Sequence, residues 1–162
     1  MAIDIFLKLD GLPGESRDRV HADEIDVQSY SWGLANTLSI GTAGGGAGAG
    51  KASFQDLNYT SATHKSSPKL MAACALGRRI DTAVLTVRRS GGGNPVDFLK
   101  ITLTDVFVAS YNQAAAEGGD SVVEDVSLAF VKIQFSYAEQ RPDGTLATPV
   151  VEGWDRATNR ST

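Results

Sequence analysis

The sequence predicts a mainly β fold, a compact β-barrel of two packed, bent antiparallel sheets with one short α-helix at its side. Three observations carry this. Apolar and polar residues alternate with a period of two along most of the chain. The stretches between are punctuated by glycine, which makes up 17 of 162 residues against a usual share of roughly 7%. The apolar face also changes sides partway along the two longest alternating runs, as it does where a strand bends from one sheet into another.

Taken in order, Ile3, Ile5, Leu7 and Leu9 share one face of a first strand. Ile25 and Val27 open a second that continues through Tyr30 and Trp32, and Phe54, Leu57 and Tyr59 fit a third. Ser67 to Gly77 breaks the alternation. A serine N-cap, Pro68 at the first helical position and a terminal glycine mark it as a helix, with Leu70, Met71 and Cys74 as its apolar stripe. Ala83, Leu85 and Val87 begin a strand that Ser90–Pro95 turns into a long partner. In that partner Leu99, Ile101 and Leu103 are odd-numbered while Val106 and Val108 are even. Later, Val126, Leu128 and Phe130 give way to Val131, Ile133 and Phe135. Each change predicts a one-residue slip, a β-bulge. Pro142-Asp143-Gly144 turns the chain into Leu146–Val151.

The length suits one domain, residues 1–162, ending in a polar tail at about 156–162. A formal net charge of -4 and a pI near 5.1 exclude a nucleic-acid partner, since phosphate binding needs clustered cations. Arg78-Arg79 and Arg88-Arg89 read as solvated pairs. The lone Cys74 forms no internal disulfide. The N-terminus lacks a basic start and is broken by Asp4, Lys8 and Asp10, so it reads as a strand and not as a signal peptide. No apolar run approaches the roughly 20 residues that span a bilayer, so no stable membrane insertion is expected.

Chemical motifs are few. Gly45–Lys51 imitates a phosphate-binding loop, but Ala52 stands where a magnesium-binding hydroxyl belongs, and a strand follows where a helix is required. His21, His64 and Cys74 fit no metal-ligand spacing, and both histidines read as hydrogen-bonded surface or loop residues. The pairs Asp23/Glu24 and Glu124/Asp125 read as solvated carboxylates. No serine sits in a nucleophile elbow. Neither a catalytic residue, a cofactor nor a metal is expected.

Four stretches carry a resemblance that covers the chain from about Met1 to Asp155. They are Gly14-Glu15-Ser16 with Asp18 and His21; Glu24-Ile25-Asp26-Val27 followed by Ser31-Trp32-Gly33; Ser67-Pro68, Leu70-Met71, Ala73-Cys74 and Gly77; and Gly153-Trp154-Asp155. In order and spacing they resemble the haemolysin-coregulated (Hcp) family of type VI secretion. Tyr30 stands where many relatives carry a second tryptophan, and Ser61 and His64 replace charged residues, which alters surface ion pairs and not the fold.

The resemblance implies a structural protein. Six copies close into a ring, and rings stack into a hollow tube built in the cytosol inside a contractile sheath. Sheath contraction drives the tube, behind a spike protein, out of the cell, with effector proteins in its lumen. For ring stacking the expected loops hold Gly44, Gly45, Gly46, Gly48, Gly50 and Lys51, then Gly91, Gly92, Gly93 and Asn94, with Asp155 and Arg156 as a further, salt-sensitive contact. Two other readings compete: a small nucleotide-dependent enzyme using the Gly45–Lys51 loop, and a freestanding secreted adhesin or toxin domain.

Overall fold

A computed structural model describes residues 2–39, 48–90 and 93–162. Its elements run β1 (Ile3–Leu9), β2 (Ile25–Ser31), β3 (Leu34–Ser39), β4 (Gly48–Phe54), β5 (Leu57–Ala62), α1 (Ser67–Leu76), β6 (Arg79–Arg89), β7 (Val96–Ala114), β8 (Val123–Tyr137), β9 (Val150–Asp155) and β10 (Arg160–Ser161). Six strands in the order β8-β5-β2-β1-β6-β7 form a barrel, closed where β7 pairs with β8. Strands β9 and β10 extend the sheet beyond β8, and β3 and β4 make a separate two-stranded ribbon.

The period-two pattern decides what fills the barrel. Leu7, Leu9, Ile25, Leu57, Leu85, Ile101 and Leu128 all point inward and are nearly fully buried, each burial contributing about 1.5–3 kcal/mol. The face changes expected in β7 and β8 are both present, but their mechanism differs. Leu103 faces Ile133 and Val106 faces Phe130, so the two strands switch faces opposite each other with no residue gained or lost between them. The turning residue is Asp105, held at φ 55° with its carboxylate 2.6 Å from Arg79 Nε. A concerted kink needs no slip, because both partners rotate together. The register shift of β7 against β8 lies further on, between Val108 and Ser110, and β2 shifts against β5 between Val27 and Ser29.

Four other expectations are corrected. The third strand is two elements, because the chain leaves the ribbon at Phe54 and enters the barrel at Leu57. The strand expected at Leu146–Val151 begins only at Val150. The polar 156–162 segment turns back, and β10 pairs with β9 through Arg160 and Ser161. Helix α1 has Ser66, not Ser67, as its N-cap. The Ser66 hydroxyl donates to the Pro13 carbonyl at 2.6 Å instead of capping, and Gly77 closes the helix at φ 63°. Its buried positions are Ser67, Leu70 and Ala73, whereas Met71 is 54% exposed and Cys74 only partly covered.

A left-handed backbone suits Asp, Asn or Gly and strains β-branched residues. Asp105→Val is therefore expected to lower unfolding stability by about 1–3 kcal/mol, with Asp105→Gly milder. Urea denaturation of the two variants checks this, and equal losses would show that the kink does not depend on this backbone conformation.

Candidate assembly surfaces

Between β1 and β2 the chain folds back over the outside of the barrel, and a cluster of charged and aromatic residues pins it. Phe6, at an outward position of β1, is only 4% exposed. The His21 ring stacks on one side of it, 4.3 Å away and nearly parallel, and the Arg88 guanidinium lies 4.8 Å from its centroid. Arg88 donates to Asp18 at 2.6 Å and to Asp4 at 3.2 Å. The His21 ring nitrogens lie 2.5 Å from Glu24 and 3.2 Å from Asp97. Gly14 makes the fold-back possible, because a Cβ there would overlap the Glu24 carbonyl.

This corrects the reading of Arg88 as solvated, while His21 is the hydrogen-bonded loop residue expected, though buried. Sequence spacing could not bring Phe6, His21 and Arg88 together, since they come from three distant segments. The hydrogen bond from Arg88, then the amide of His21, hold the Asp18 carboxyl well below its ordinary value of 3.8. A depressed carboxylate stabilises the fold above its unfolded value and loses that contribution as the pH falls toward the folded one. Asp18→Asn should therefore lower the melting temperature at pH 7, with the gap to the parent chain narrowing from about pH 4 to pH 2. A gap that stays constant across that range would remove Asp18 from the latch.

A second polar cluster closes one end of the barrel. Glu124, expected to be solvated, is fully buried. It accepts hydrogen bonds from Tyr111 Oη at 2.7 Å and Ser61 Oγ at 3.3 Å. His64 Nε2 lies 3.2 Å from its Oε1, though out of line, while His64 Nδ1 accepts from the Ser66 amide. Ser61 and His64 thus serve a buried carboxylate and not the surface. Burial, then the Glu124 charge, pushes the Tyr59 hydroxyl well above its ordinary value, and among the described residues the hydroxyl has no hydrogen-bond partner. His64 and the Ser66 and Ser67 groups bonded to it fix the start of α1.

The third surface faces solvent. The register shifts in β2 and β7 turn Ser29 and Ser31, and Ser110 and Asn112, onto the outer face beside Asn58, Thr60, Asp125 and Ser127. Cross-strand pairing sets these residues in two rows, Ser31–Asn58–Ser127–Ser110 and Ser29–Thr60–Asp125–Asn112. Thr60 Oγ1 donates to Asp125 at 2.5 Å, and Ser127 Oγ donates to Asn58. The result is a four-stranded wall of short polar side chains with one carboxylate. Its two border strands have open edges. Among the described residues, Gln28–Ser31 of β2 pair only with β5, and Ser110–Ala114 of β7 pair only with β8.

On the other side, the β3–β4 ribbon stands over the barrel and leaves an apolar groove of about 370 Å³, lined by Trp32, Leu34, Phe54, Phe135 and Trp154 with Glu152 at its rim. Arg156 ties the ribbon down, lying between the Phe54 and Phe130 rings and donating to the Phe130 carbonyl at 2.9 Å.

Of the residues expected to stack rings, the structure brings Lys51 and Arg156 to one pocket beside Phe54 and Trp154. Gly44, Gly45, Gly46, Gly91 and Gly92 lie outside the described residues. Gly48, Gly50 and Lys51 are on β4, not in a loop, with Lys51 exposed. Gly93 and Asn94 are exposed at the turn into β7. Asp155 is buried and accepts from the amides of Ala157 and Thr158. Burial pushes its carboxyl up, but those amides outweigh it and hold it below its ordinary value. Asp155 and Arg156 therefore spend their charge within the subunit. Strand β4 leads into β5 and not into a helix, so Lys51 lacks the helix N-terminus that a phosphate loop requires.

Residues 6–137 match the family model described as type VI secretion system effector, Hcp. The chain belongs to the Hcp family. Over 156 residues it is 43% identical to "Protein hcp1" of Pseudomonas aeruginosa, covering 96% of each chain. Its fold superposes on the solved structure of a type six secretion system protein with a TM-score of 0.93 at 30% identity, over 99% of this chain and 100% of that one. It also superposes on Hcp1 from Salmonella typhimurium with a TM-score of 0.83 at 34% identity, over the full length of both. It is a β-barrel tube protein of type VI secretion.

Proposed function

We propose that this chain closes into six-membered rings that stack as the hollow inner tube of the secretion machine, and that its work is mechanical and not catalytic. The observation that carries this is the polar four-stranded wall with an open edge on each side. An open edge presents unpaired amides and carbonyls to another chain, and here the two edges belong to unlike strands, β2 and β7. Joining one to the other is a head-to-tail contact, which closes into a ring when the rotation permits. The walls then line one continuous passage. Short hydroxyl and amide side chains suit a passage that lets effector proteins slide, because an apolar lining would hold them.

The tube forms in the cytosol within the sheath and leaves through the machine behind its spike. Its rings stack through residues 44–46, residues 91–94 and the β4 positions Gly48, Gly50 and Lys51, of which Gly93, Asn94 and Lys51 are exposed. Lys51, exposed on β4, supplies a charge for that contact. The test is direct: purified protein, imaged by negative stain and weighed by light scattering, is expected as six-membered rings with an open centre. A chain that stays monomeric well above micromolar concentration ends the reading. If Lys51 bridges rings electrostatically, the salt dependence of tube formation seen by light scattering should weaken in Lys51→Ala, since exposed charges are screened over about 8–10 Å at moderate salt. An unchanged salt response would take Lys51 out of the stacking contact.

A further inference from the structure

Helix α1 is apolar on both sides. Leu70 and Ala73 face the barrel, yet its outward residues are also apolar: Pro68, Met71, Ala75 and Leu76, the last 67% exposed. Lys69 is its single charge. A water-facing helix ordinarily places polar side chains outward, and one that is hydrophobic all round belongs in a covered position. The outer side of α1 therefore lacks its cover in the isolated subunit. The groove beneath the β3–β4 ribbon is its counterpart, a concave aromatic surface open to water, with Leu34 54% exposed at its lip.

We infer that the outward face of α1 docks into this groove on a second copy of the chain, with Met71 and Leu76 as the inserted side chains. The inference rests on the ring reading above and deepens it by naming the side-by-side contact. Two observations choose a second copy over any other occupant. The first is continuity. Helix α1 packs against β7, one border of the polar wall, while the groove begins at Trp32, immediately after β2, the other border. Bringing the β7 edge of one copy to the β2 edge of the next carries α1 toward that groove. Trp32 packs on Phe135 and against the core and not with the polar rows. The second is charge. Lys69 on α1 is exposed, and so is Glu152 at the rim of the groove. An apolar helix entering a hydrophobic groove under a complementary charged rim is a recurrent mode of recognition.

The experiment compares the full chain with two variants, Met71→Glu/Leu76→Glu and Leu34→Glu, each checked by circular dichroism and followed by light scattering over a concentration series. Each variant is expected to need at least about tenfold more protein for half-assembly, as a carboxylate forced into an apolar contact requires. Mixed one to one, they should form dimers and stop there, because the first retains its groove and the second its helix. Should either substitution unfold the chain, the exposed charges carry the same test. Lys69→Glu and Glu152→Lys should each weaken assembly, and together restore it. Rings that survive the substitutions, or a mixture that stays monomeric, would overturn the docking and leave the ring reading intact, with α1 open to a different protein. A parent chain that never assembles would overturn both.

Discussion

The pairing of β7 with β8 is the constraint on which the remaining architecture depends. These are the two longest strands, 19 and 15 residues, and they stay paired from Leu99 and Tyr137 to Ala114 and Val123. A sheet that long cannot remain flat and still close, because strand twist accumulates along its length. Here the conflict is resolved at one level of the barrel, where Asp105 turns left-handed opposite Val131 and both strands rotate together. Below the kink the pair closes the barrel against β6 and supports β9. Above it β7 leaves β6, and its outer edge opens.

The bulges then determine what the open part displays. One extra residue in β2, Gln28, and one in β7, Ala109, carry serine and asparagine outward while Tyr30 and Tyr111 turn in. Neither strand could present a polar wall and fill the core at both ends without such a shift, since period two otherwise keeps one residue set on one face. The inward tyrosines bring hydroxyls into the core. Glu124 is the acceptor that answers Tyr111, and Ser61 and His64 gather around it. The buried carboxylate is thus a consequence of where the bulge lies, and its partners tie the barrel end to the start of α1.

Much of this was legible in the residues, and the boundary follows the range of the interactions. Alternation in β1, β6, β7 and β8 reports burial at each position, and Pro68 and Gly77 report the bounds of α1, because these are local steric rules. The level of the kink was legible too, but not that it is concerted. A face change in one strand looks the same whether its partner slips or turns with it. Arg88 and Glu124 were misread for one reason: a charged residue is exposed unless a distant partner buries it, and their partners lie on other segments. The outward Met71 was misread because a short helix with apolar residues on every side has no stripe to find.

That last misreading bears on function. A subunit that must close a ring cannot hide all of its apolar surface within itself, or nothing would drive the closure. It also cannot expose that surface as a single self-complementary patch, since two copies would then pair and stop. The solution compatible with both demands divides the exposed apolar area between unlike shapes, a convex helix on one flank and a concave aromatic groove on the other. Neither shape satisfies a second copy of itself. The polar wall between them carries open edges that add direction to the contact, with little affinity of their own in water because exposed amides are already hydrated. In the proposed ring, burial supplies the strength, edge pairing supplies the alignment, and the passage inherits a lining that neither requires.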